Sequence, residues 1–283
     1  MRIEHFSSAA VFLQHAASFL TADEAANNLL LGIASNLLKN PPSDEVYFAI
    51  VRANDGEIIA AAIRTTPARP VLARSKSATA IKLLASDLYV TYETLPTVMG
   101  TVENARTFAE AWTALTGSEA VRGIAQRVYQ IEHVIPVTGV AGAWRKAMPS
   151  DRALLIDWMI GFQQAAFAQM SLDRAQIERG VDAALNTGVR VYTLWEVDGQ
   201  SMCMLGYTGF TPNGVRIGPV YTPAEHRRHG YASALTAAVS QYLLDSGRRY
   251  CFLFTDLTNA TSNHVYQTIG YTPVCDFDEY EFK

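Results

Sequence analysis

The sequence predicts a mixed α/β fold in which helices and β-hairpins follow one another in a similar order twice. Apolar residues recur with helical spacing in segments such as 24–39 and 231–247. Two strand pairs are joined by turns that tolerate positive φ, at Asn54-Asp55-Gly56 and at Asp198-Gly199. The segments around these turns, 46–59 and 191–202, resemble each other. These observations favour an α/β (α+β) protein with a mixed sheet flanked by helices, built by duplication.

Helical spacing and strand-like alternation place the elements of each half in order. For the first half they predict two helices, a hairpin, two helices and a strand, at 6–20, 24–39, 45–66, 77–89, 102–117 and 127–137. For the second half they predict a strand, two helices, a hairpin, a strand, a helix, a strand, a helix and a strand, at 143–148, 152–167, 171–188, 189–210, 215–222, 231–247, 250–257, 260–270 and 271–282.

We expect the boundary between the halves in residues 136–142, where proline and small residues interrupt the pattern. We therefore expect two domains. The first, residues 1–138, is a degenerate copy of the second or another small α/β domain, and the second spans residues 139–283. A single mixed α/β domain is the alternative interpretation.

Composition excludes several classes of function. The chain has 283 residues, of which 49% are hydrophobic and 18% charged, and its net charge is −4. A general nucleic-acid-binding protein would need a strong basic excess, so we expect none of that activity. No apolar run is long enough to cross a membrane, and the first residues do not resemble a secretory signal. An odd number of cysteines (Cys203, Cys251 and Cys275) without a C-x-x-C pair fits a reducing cytoplasm.

The segment 215–232 has the features of a phosphate-binding turn. Gly218-Pro219 interrupts a predicted strand, because Pro219 has no N–H, and such a pair marks an edge or a bulge. Backbone groups near Val220 and Tyr221 are then free to bind a ligand. We expect the next helix to begin near Arg228, with its unpaired N–H groups directed at phosphate. The alternative interpretation is a solvated basic turn.

This segment resembles the acyl-CoA-binding motif of the GNAT acetyltransferases, Q/R-x-x-G-x-G/A, which stands here as Arg227-Arg228-His229-Gly230-Tyr231-Ala232. A second signature of the family follows the next predicted strand. Its members here are Asn259, Ser262, Tyr266 and Gly270-Tyr271. The resemblance covers about residues 142–283. It implies a mostly antiparallel GNAT-like sheet whose two parallel strands splay apart around the cofactor.

The resemblance also implies roles for individual residues, with acetyl-CoA (coenzyme A) as the cofactor. The backbone near Val220 and Tyr221 would align the pantetheine arm and the thioester. The amides from Arg228 to Ala232 would bind the pyrophosphate, and Asn259 would bond the cofactor arm. The full predicted cofactor set is Val220, Tyr221, Arg227, Arg228, His229, Gly230, Tyr231, Ala232, Asn259 and Ser262.

Tyr266 is the candidate general acid, because a free tyrosine and a thiol have pKa values of about 10 and about 8.5, close enough for inexpensive proton exchange. Its alternative role is packing against the sheet. Glu196 is the candidate base, with an exposed hairpin residue as the alternative, and Asp256 is a weaker candidate that could instead cap a loop. We expect no metal site, because His226 and His229 lack the spacing of a metalloenzyme motif.

The first half lacks the cofactor motif. No glycine precedes the helix at 77–89, and Thr113 stands where Tyr266 stands in the second half. We therefore expect a non-catalytic half that walls off the acceptor cleft. The predicted function is acetyl transfer to a small-molecule or peptide amine, with a slight preference for a small cationic amine. The alternatives are an acyl-CoA-binding protein without turnover and, less favoured, an aminoacyl-transferring enzyme that uses tRNA. The sequence does not predict the oligomeric state.

Overall fold

The computed structural model describes residues 1–41, 45–65, 69–72, 74–166 and 172–283. The same order of strands and helices occurs twice along the chain. The first half contains β1 (Arg2–His5), α1 (Ala9–Thr21), α2 (Asn28–Lys39), β2 (Tyr47–Arg52), β3 (Ile58–Thr65), β4 (Arg69–Leu72), α3 (Ala78–Tyr92), β5 (Thr97–Thr101), α4 (Val102–Thr116) and β6 (Ala120–Ile131). The second half contains β7 (Ala143–Lys146), α5 (Arg152–Ala166), α6 (Arg174–Thr187), β8 (Val191–Val197), β9 (Gln200–Thr208), β10 (Gly214–Tyr221), α7 (Tyr231–Asp245), β11 (Tyr250–Asp256), α8 (Ala260–Thr268) and β12 (Thr272–Phe282).

The strands of the described residues form one sheet of 12 strands, in the order β1-β2-β3-β4-β5-β12-β6-β11-β10-β9-β8-β7. Only β4–β5 and β10–β11 pair in parallel among the described strands. The expectation of a mixed, mostly antiparallel α/β fold is therefore confirmed. The halves also exchange their last strands, because β12 pairs with β5, and β6 pairs with β11. Strand β6 belongs to the first half by sequence, but in the sheet it lies between β12 and β11 of the second half. The domain boundary at 138/139 stays a prediction.

Helices cover both faces of the sheet in each half. In the second half, α7 and residues around α8 pack on one face, against a core that includes Leu205, Ile217 and Leu253. Helices α5 and α6 pack on the other face, against Tyr192, Leu194 and Met204. In the first half, α1 and α2 cover one face, and α3 and α4 cover the other. Each half is thus a helix–sheet–helix sandwich.

Helix α2 of the first half also packs on the second half. A Cβ atom on Gly32 would lie 2.8 Å from the Cα atom of Gly209, so the two backbones approach closely because neither residue has a side chain. Nearby, the buried carboxylate of Glu24 accepts hydrogen bonds from the side chain of Thr211 and, at 2.8 Å, from the backbone N–H of Asn213. These contacts fix α2 against the loop that precedes β10.

Several short elements differ from the sequence-based expectation. The strands β1, β4 and β5 have only four or five residues each, too few for apolar periodicity to separate a strand from a loop. Strand β6 begins at Ala120, earlier than the predicted 127. The predicted loop residues 42–44, hairpin residue 66, helix residue 167 and helix residue 171 lie outside the described residues. No helix of the described chain is both long enough and apolar enough to cross a membrane.

Candidate functional site

The predicted site residues come together at one edge of the sheet. Strands β10 and β11 are parallel, so their carboxyl ends meet at the same edge. The loop 222–230 and α7 follow β10 there, and α8 follows β11. Strand β8 is antiparallel to β9, which is antiparallel to β10, so Glu196 near the end of β8 lies at this edge as well. The fold therefore gathers the residues on which the sequence analysis converged.

The parallel strands part at this edge. Their pairing runs from Gly214–Tyr250 to Ile217–Leu253 and does not continue beyond that in the described residues. Strand β11 stays paired with β6 as far as Asp256, and β10 stays paired with β9 after a register shift between Ile217 and Val220. That irregularity confirms the bulge expected at Gly218-Pro219, within the sheet and not at its edge. The result is a V-shaped opening between β10 and β11.

The loop after β10 presents unpaired backbone amides at the mouth of this opening. The N–H groups of Arg228, His229 and Gly230 have no hydrogen-bond partner among the described residues. The next two, of Tyr231 and Ala232, are the first of α7 and have no acceptor within the helix. Gly230, the N-cap of α7, has no side chain to cap them. We call residues 228–232 the amide cradle; it has the geometry that binds phosphate.

Helix α7 begins at Tyr231, as the periodicity of 231–247 predicts, and the expectation of a start near Arg228 is wrong. The physical reason is the backbone conformation of two residues in the loop before the helix. Arg228 has φ +66° and Gly230 has φ +81°, both in the left-handed region that a right-handed helix excludes. This conformation extends the row of unpaired amides ahead of the helix.

The side chains of Arg227, Arg228 and His229 are exposed, and two of them already have contacts within the loop. Arg227 donates from Nε to the carbonyl oxygen of Thr222 at 3.0 Å, which ties its guanidinium to the loop. Arg228 has no hydrogen bond or ion pair among the described residues and is available to an anion. The His229 ring stacks on Tyr231, with ring centroids 5.5 Å apart, and its Nδ1 lies 3.3 Å from the carbonyl oxygen of His226. The His229 ring therefore has local partners.

Helix α8 supplies the second set of predicted residues. Asn259 is its N-cap, and its Oδ1 accepts a hydrogen bond from the N–H of Ser262 at 3.0 Å. The capping role that the sequence left open is thus present, and Nδ2 of Asn259 has no partner among the described residues. Tyr266 is half-buried, lies with its ring centroid 6.0 Å from that of Tyr271, and packs against the α7-side core.

The environment of Tyr266 corrects one sequence-based estimate. Burial raises the pKa of Tyr266 from its ordinary 10 to about 12. The gap to a thiol pKa of about 8.5 then corresponds to about 5 kcal/mol for complete proton transfer. The raised pKa works against the inexpensive proton exchange that the sequence predicts, and it keeps the Tyr266 phenol protonated at neutral pH. The catalytic role of Tyr266 stays a prediction.

The candidate bases are already bound to neighbours. Oε1 of Glu196 lies 2.8 Å from Nη2 of Arg145, on the adjacent strand β7. Oδ1 of Asp256 accepts from the backbone N–H and the hydroxyl of Thr258, both at 2.7 Å, so it caps the turn after β11. Within the described residues, no group of three or more histidine, cysteine or acidic side chains is arranged to hold a metal ion.

The sequence analysis missed the residue Asn263 and the packing of Tyr221 on α5. Asn263 donates from Nδ2 to the carbonyl oxygens of Asp256 and Asn259, at 3.0 and 2.9 Å, and so fixes the start of α8 against the end of β11. An asparagine directly inside a predicted helix was the signal available. Tyr221 packs on α5, where Gly161 leaves room for its ring and Trp158 lies 6.5 Å away between centroids.

Comparisons with known proteins agree with this geometry. Residues 205–281 match the family model described as FR47-like protein. Among solved structures, a tandem GNAT protein from the clavulanic acid biosynthesis pathway aligns with a TM-score of 0.61 at 14% identity, covering 99% of this chain and 97% of its own. A GCN5-related N-acetyltransferase from Sphaerobacter thermophilus gives 0.59 at 16% identity, covering 99% and 94%.

A Drosophila protein gives a TM-score of 0.68 at 10% identity, covering 99% of this chain and 98% of its own. No curated protein matches the chain by sequence. At such low identities the structures show the fold alone. The chain therefore has a tandem GNAT-type fold, and the resemblance seen in residues 142–283 is confirmed at that level.

Proposed function

We propose that the chain is an N-acetyltransferase that moves the acetyl group of acetyl-CoA to an amine, with the chemistry in the second half. The observation that carries this proposal is the amide cradle at the mouth of the opening between β10 and β11. Five consecutive N–H groups, those of residues 228–232, have no described partner there. A pyrophosphate is the kind of group that such a cradle binds, and the opening between β10 and β11 is where we propose that the extended arm of the cofactor lies.

The residues of this edge take complementary roles in the proposal. Acetyl-CoA supplies a thioester whose carbonyl carbon forms the new C–N bond while its C–S bond breaks. The edge of β10 beyond Ile217 provides backbone N–H groups near Val220 to polarise the carbonyl oxygen. Tyr266 donates its phenolic hydrogen toward the leaving sulfur. The amide nitrogen of Asn259 and the side chains of Arg227, Arg228 and His229 add contacts to the cofactor.

The attacking amine must also lose a proton. In this proposal solvent water accepts that proton, because the sequence-based candidate base, Glu196, is ion-paired to Arg145 and keeps only its Oε2 without a described partner. We place the reaction in a reducing, cytoplasmic compartment, because all three cysteines are free and two are buried. The acceptor is a small-molecule or peptide amine.

Calorimetric titration of acetyl-CoA tests the proposal, first with the wild type and then with Gly230→Asp. Aspartate would place negative charge in the cradle, and its Cβ would meet Val140 at 3.0 Å. We expect binding to weaken by about 100-fold or more. Gly117→Asp is the matched control, because Gly117 also has positive φ, +73°, but lies in the first half with open space around it.

Thiol release over an amine library then separates catalysis from binding. Release with at least one amine supports the transferase. Tight binding without release from any amine would favour an acyl-CoA-binding protein instead. If the wild type does not bind acetyl-CoA at millimolar concentration, neither the acetyltransferase nor the acyl-CoA-binding protein is supported.

A further inference from the structure

Arg216, in the middle of β10, has a guanidinium group without a counter-charge. Its neighbours Val215 and Ile217 point into the α7-side core, so Arg216 faces the opposite side of the sheet, where α5, α6 and α2 pack. Its Nη1 is fully buried and has no hydrogen-bond partner. No described residue forms an ion pair or a hydrogen bond with any other atom of this guanidinium. The residue as a whole is half-buried.

Several other half-buried arginines of the described chain have a carboxylate partner: Arg52 with Glu4 at 2.9 Å, Arg127 with Asp276 at 2.7 Å and Arg145 with Asp151 at 2.6 Å. Arg64 also has a buried nitrogen without a partner, but its guanidinium lies 3.7 Å from the ring centroid of Tyr92, which compensates part of its charge.

A second cation makes the position of Arg216 more unfavourable. Burial, and then the charge of Arg190, lower the pKa of Arg216 to about 10. Arg190 itself is half-buried and has no ion pair among the described residues, with its guanidinium 5.9 Å from the ring centroid of Tyr192. Two neighbouring guanidinium groups without a carboxylate form a site that an anion would stabilise.

The location of this pair suggests which anion it binds. Arg216 precedes Ile217, whose pairing with Leu253 is the last before β10 and β11 part. It therefore lies at the closed end of the V-shaped opening, the end opposite the amide cradle. A Cβ atom on Gly209 would lie 3.0 Å from Nη2 of Arg216, and Gly32 packs on the same glycine, so α2 of the first half lies beside this guanidinium. An acceptor would therefore have to reach the guanidinium from the opening between β10 and β11.

We propose that Arg216, together with Arg190, binds the carboxylate of an acceptor that carries both an amine and a carboxylate, as an amino acid does. This inference rests on the proposed function and names its substrate class. The planar fork of an arginine matches the two oxygens of a carboxylate. An acceptor of this kind replaces the small cationic amine that the acidic net charge favoured, because that charge describes the whole surface and not this cleft.

Matched amine pairs test the proposal, with thiol release measured at saturating acetyl-CoA. The pairs are 4-aminobutyrate against butylamine, and L-alanine against L-alaninamide. We expect wild type to prefer the carboxylate member by about 10- to 100-fold in kcat/KM, the range of a charge-assisted hydrogen bond. Arg216→Met should remove the preference. Arg64→Met, which removes another unpaired arginine in the first half, should retain it.

A binding measurement keeps this test separate from the acetyltransferase proposal. Butyrate should raise the melting temperature of the wild type and of Arg64→Met but not of Arg216→Met, whether or not acetyl-CoA is consumed. Equal kcat/KM within each pair, with no effect of butyrate, would overturn the carboxylate site while leaving the acetyltransferase intact. Stabilisation by butyrate without acetyl-CoA binding would support the anion site and overturn only the acetyltransferase.

The stability of the variant distinguishes a binding role from a structural one. Arg216→Met removes an unpaired charge, so we expect its melting temperature to equal or exceed that of the wild type. A fall of several degrees would show that the arginine supports the fold, and would overturn the proposal. Arg216→Lys, which keeps the charge and loses the fork, should give a preference between those of the wild type and Arg216→Met.

Discussion

The loops that lead into α3 and α7 occupy equivalent places in the two halves. They differ in how many of their backbone amides have a hydrogen-bond acceptor. Before α7, residues 228–232 leave five consecutive N–H groups without a described partner. Before α3 and in its first turn, side chains accept from several of the amides. Asn27 accepts from the N–H of Arg74 at 2.9 Å, Asn104 accepts from Ser75 at 3.3 Å, and the Ser77 hydroxyl accepts from Ala80 at 3.2 Å.

This difference explains how one fold supports two outcomes. A loop whose backbone N–H groups donate to nearby side chains is stabilised by those hydrogen bonds, and those N–H groups cannot also bind an anion. A loop that leaves them open depends on solvent or on a ligand, and can bind phosphate. The parallel strands differ too, since β4 and β5 pair at a single position, Val71–Met99. In the first half, structural hydrogen bonds thus lie at the place that corresponds to the cofactor site we propose in the second half.

The largest expected effect outside the cradle is at Tyr266, where the two halves differ most directly. Tyr266→Phe removes the proton donor, and we expect kcat to fall by about 100- to 1,000-fold with little change in acetyl-CoA binding. Thr113→Val, at the matching position of α4, should leave kcat unchanged, because the Thr113 hydroxyl is buried without a partner and touches no predicted cofactor residue. Stopped-flow thiol release and calorimetry give the two numbers.

The pH dependence sharpens this test. Because the pKa of Tyr266 is raised to about 12, its phenol keeps its proton through the whole range below that value. The wild-type rate should therefore show no alkaline loss caused by Tyr266 up to about pH 10. A descending limb near pH 8 to 9 that disappears in Tyr266→Phe would contradict the burial that the fold gives this side chain.

The difference between the two loops predicts the next largest effect, a loss of stability on substitution of Asn104. Asn104→Ala leaves the N–H and the carbonyl oxygen of Ser75 without their side-chain partners, which Asn104 contacts at 3.3 and 3.1 Å. We expect the free energy of unfolding to fall by about 1–3 kcal/mol, with acetyl-CoA affinity unchanged. Asn259→Ala, the comparable change at α8, should cost about 1 kcal/mol as a lost cap and should weaken acetyl-CoA binding.

Urea unfolding and calorimetry on the two asparagine variants measure both quantities. A loss of acetyl-CoA binding in Asn104→Ala, without a change in stability, would mean that the first-half loop binds a ligand after all. The contrast between the loops would then be wrong in its central claim.

Much of this arrangement could be predicted because local sequence determines it. Glycine at 230, proline at 219 and the spacing from Asn259 to Tyr271 act within a few residues of where they stand, and turn and helix chemistry is local. The duplicated order of elements followed from hydrophobic periodicity for the same reason. The missing cradle of the first half was also visible, since Ser77 stands where a glycine would be needed.

The remainder depends on contacts between distant residues, which periodicity does not encode. The exchange of β6 and β12 between the halves is a choice of partners among strands of similar apolar character. The pKa of Tyr266 follows from burial by the assembled core. Arg216 was visible as a charge inside an apolar strand, but the lack of a counter-charge is a property of the whole packed neighbourhood.

The smallest expected effect concerns Glu196, and here the halves are alike. Each edge of the sheet carries an ion pair between its outer two strands: Glu4 on β1 with Arg52 on β2 at 2.9 Å, and Arg145 on β7 with Glu196 on β8 at 2.8 Å. Because the half without a cradle has such a pair, the pair alone does not indicate catalysis.

We expect Glu196→Gln and Glu4→Gln each to cost at most about 1 kcal/mol of stability, as partly exposed ion pairs do. Glu196→Gln should change kcat by no more than about twofold. A fall of tenfold or more in kcat, with the stability of Glu196→Gln equal to that of Glu4→Gln, would assign the proton transfer to Glu196 and restore it as the base.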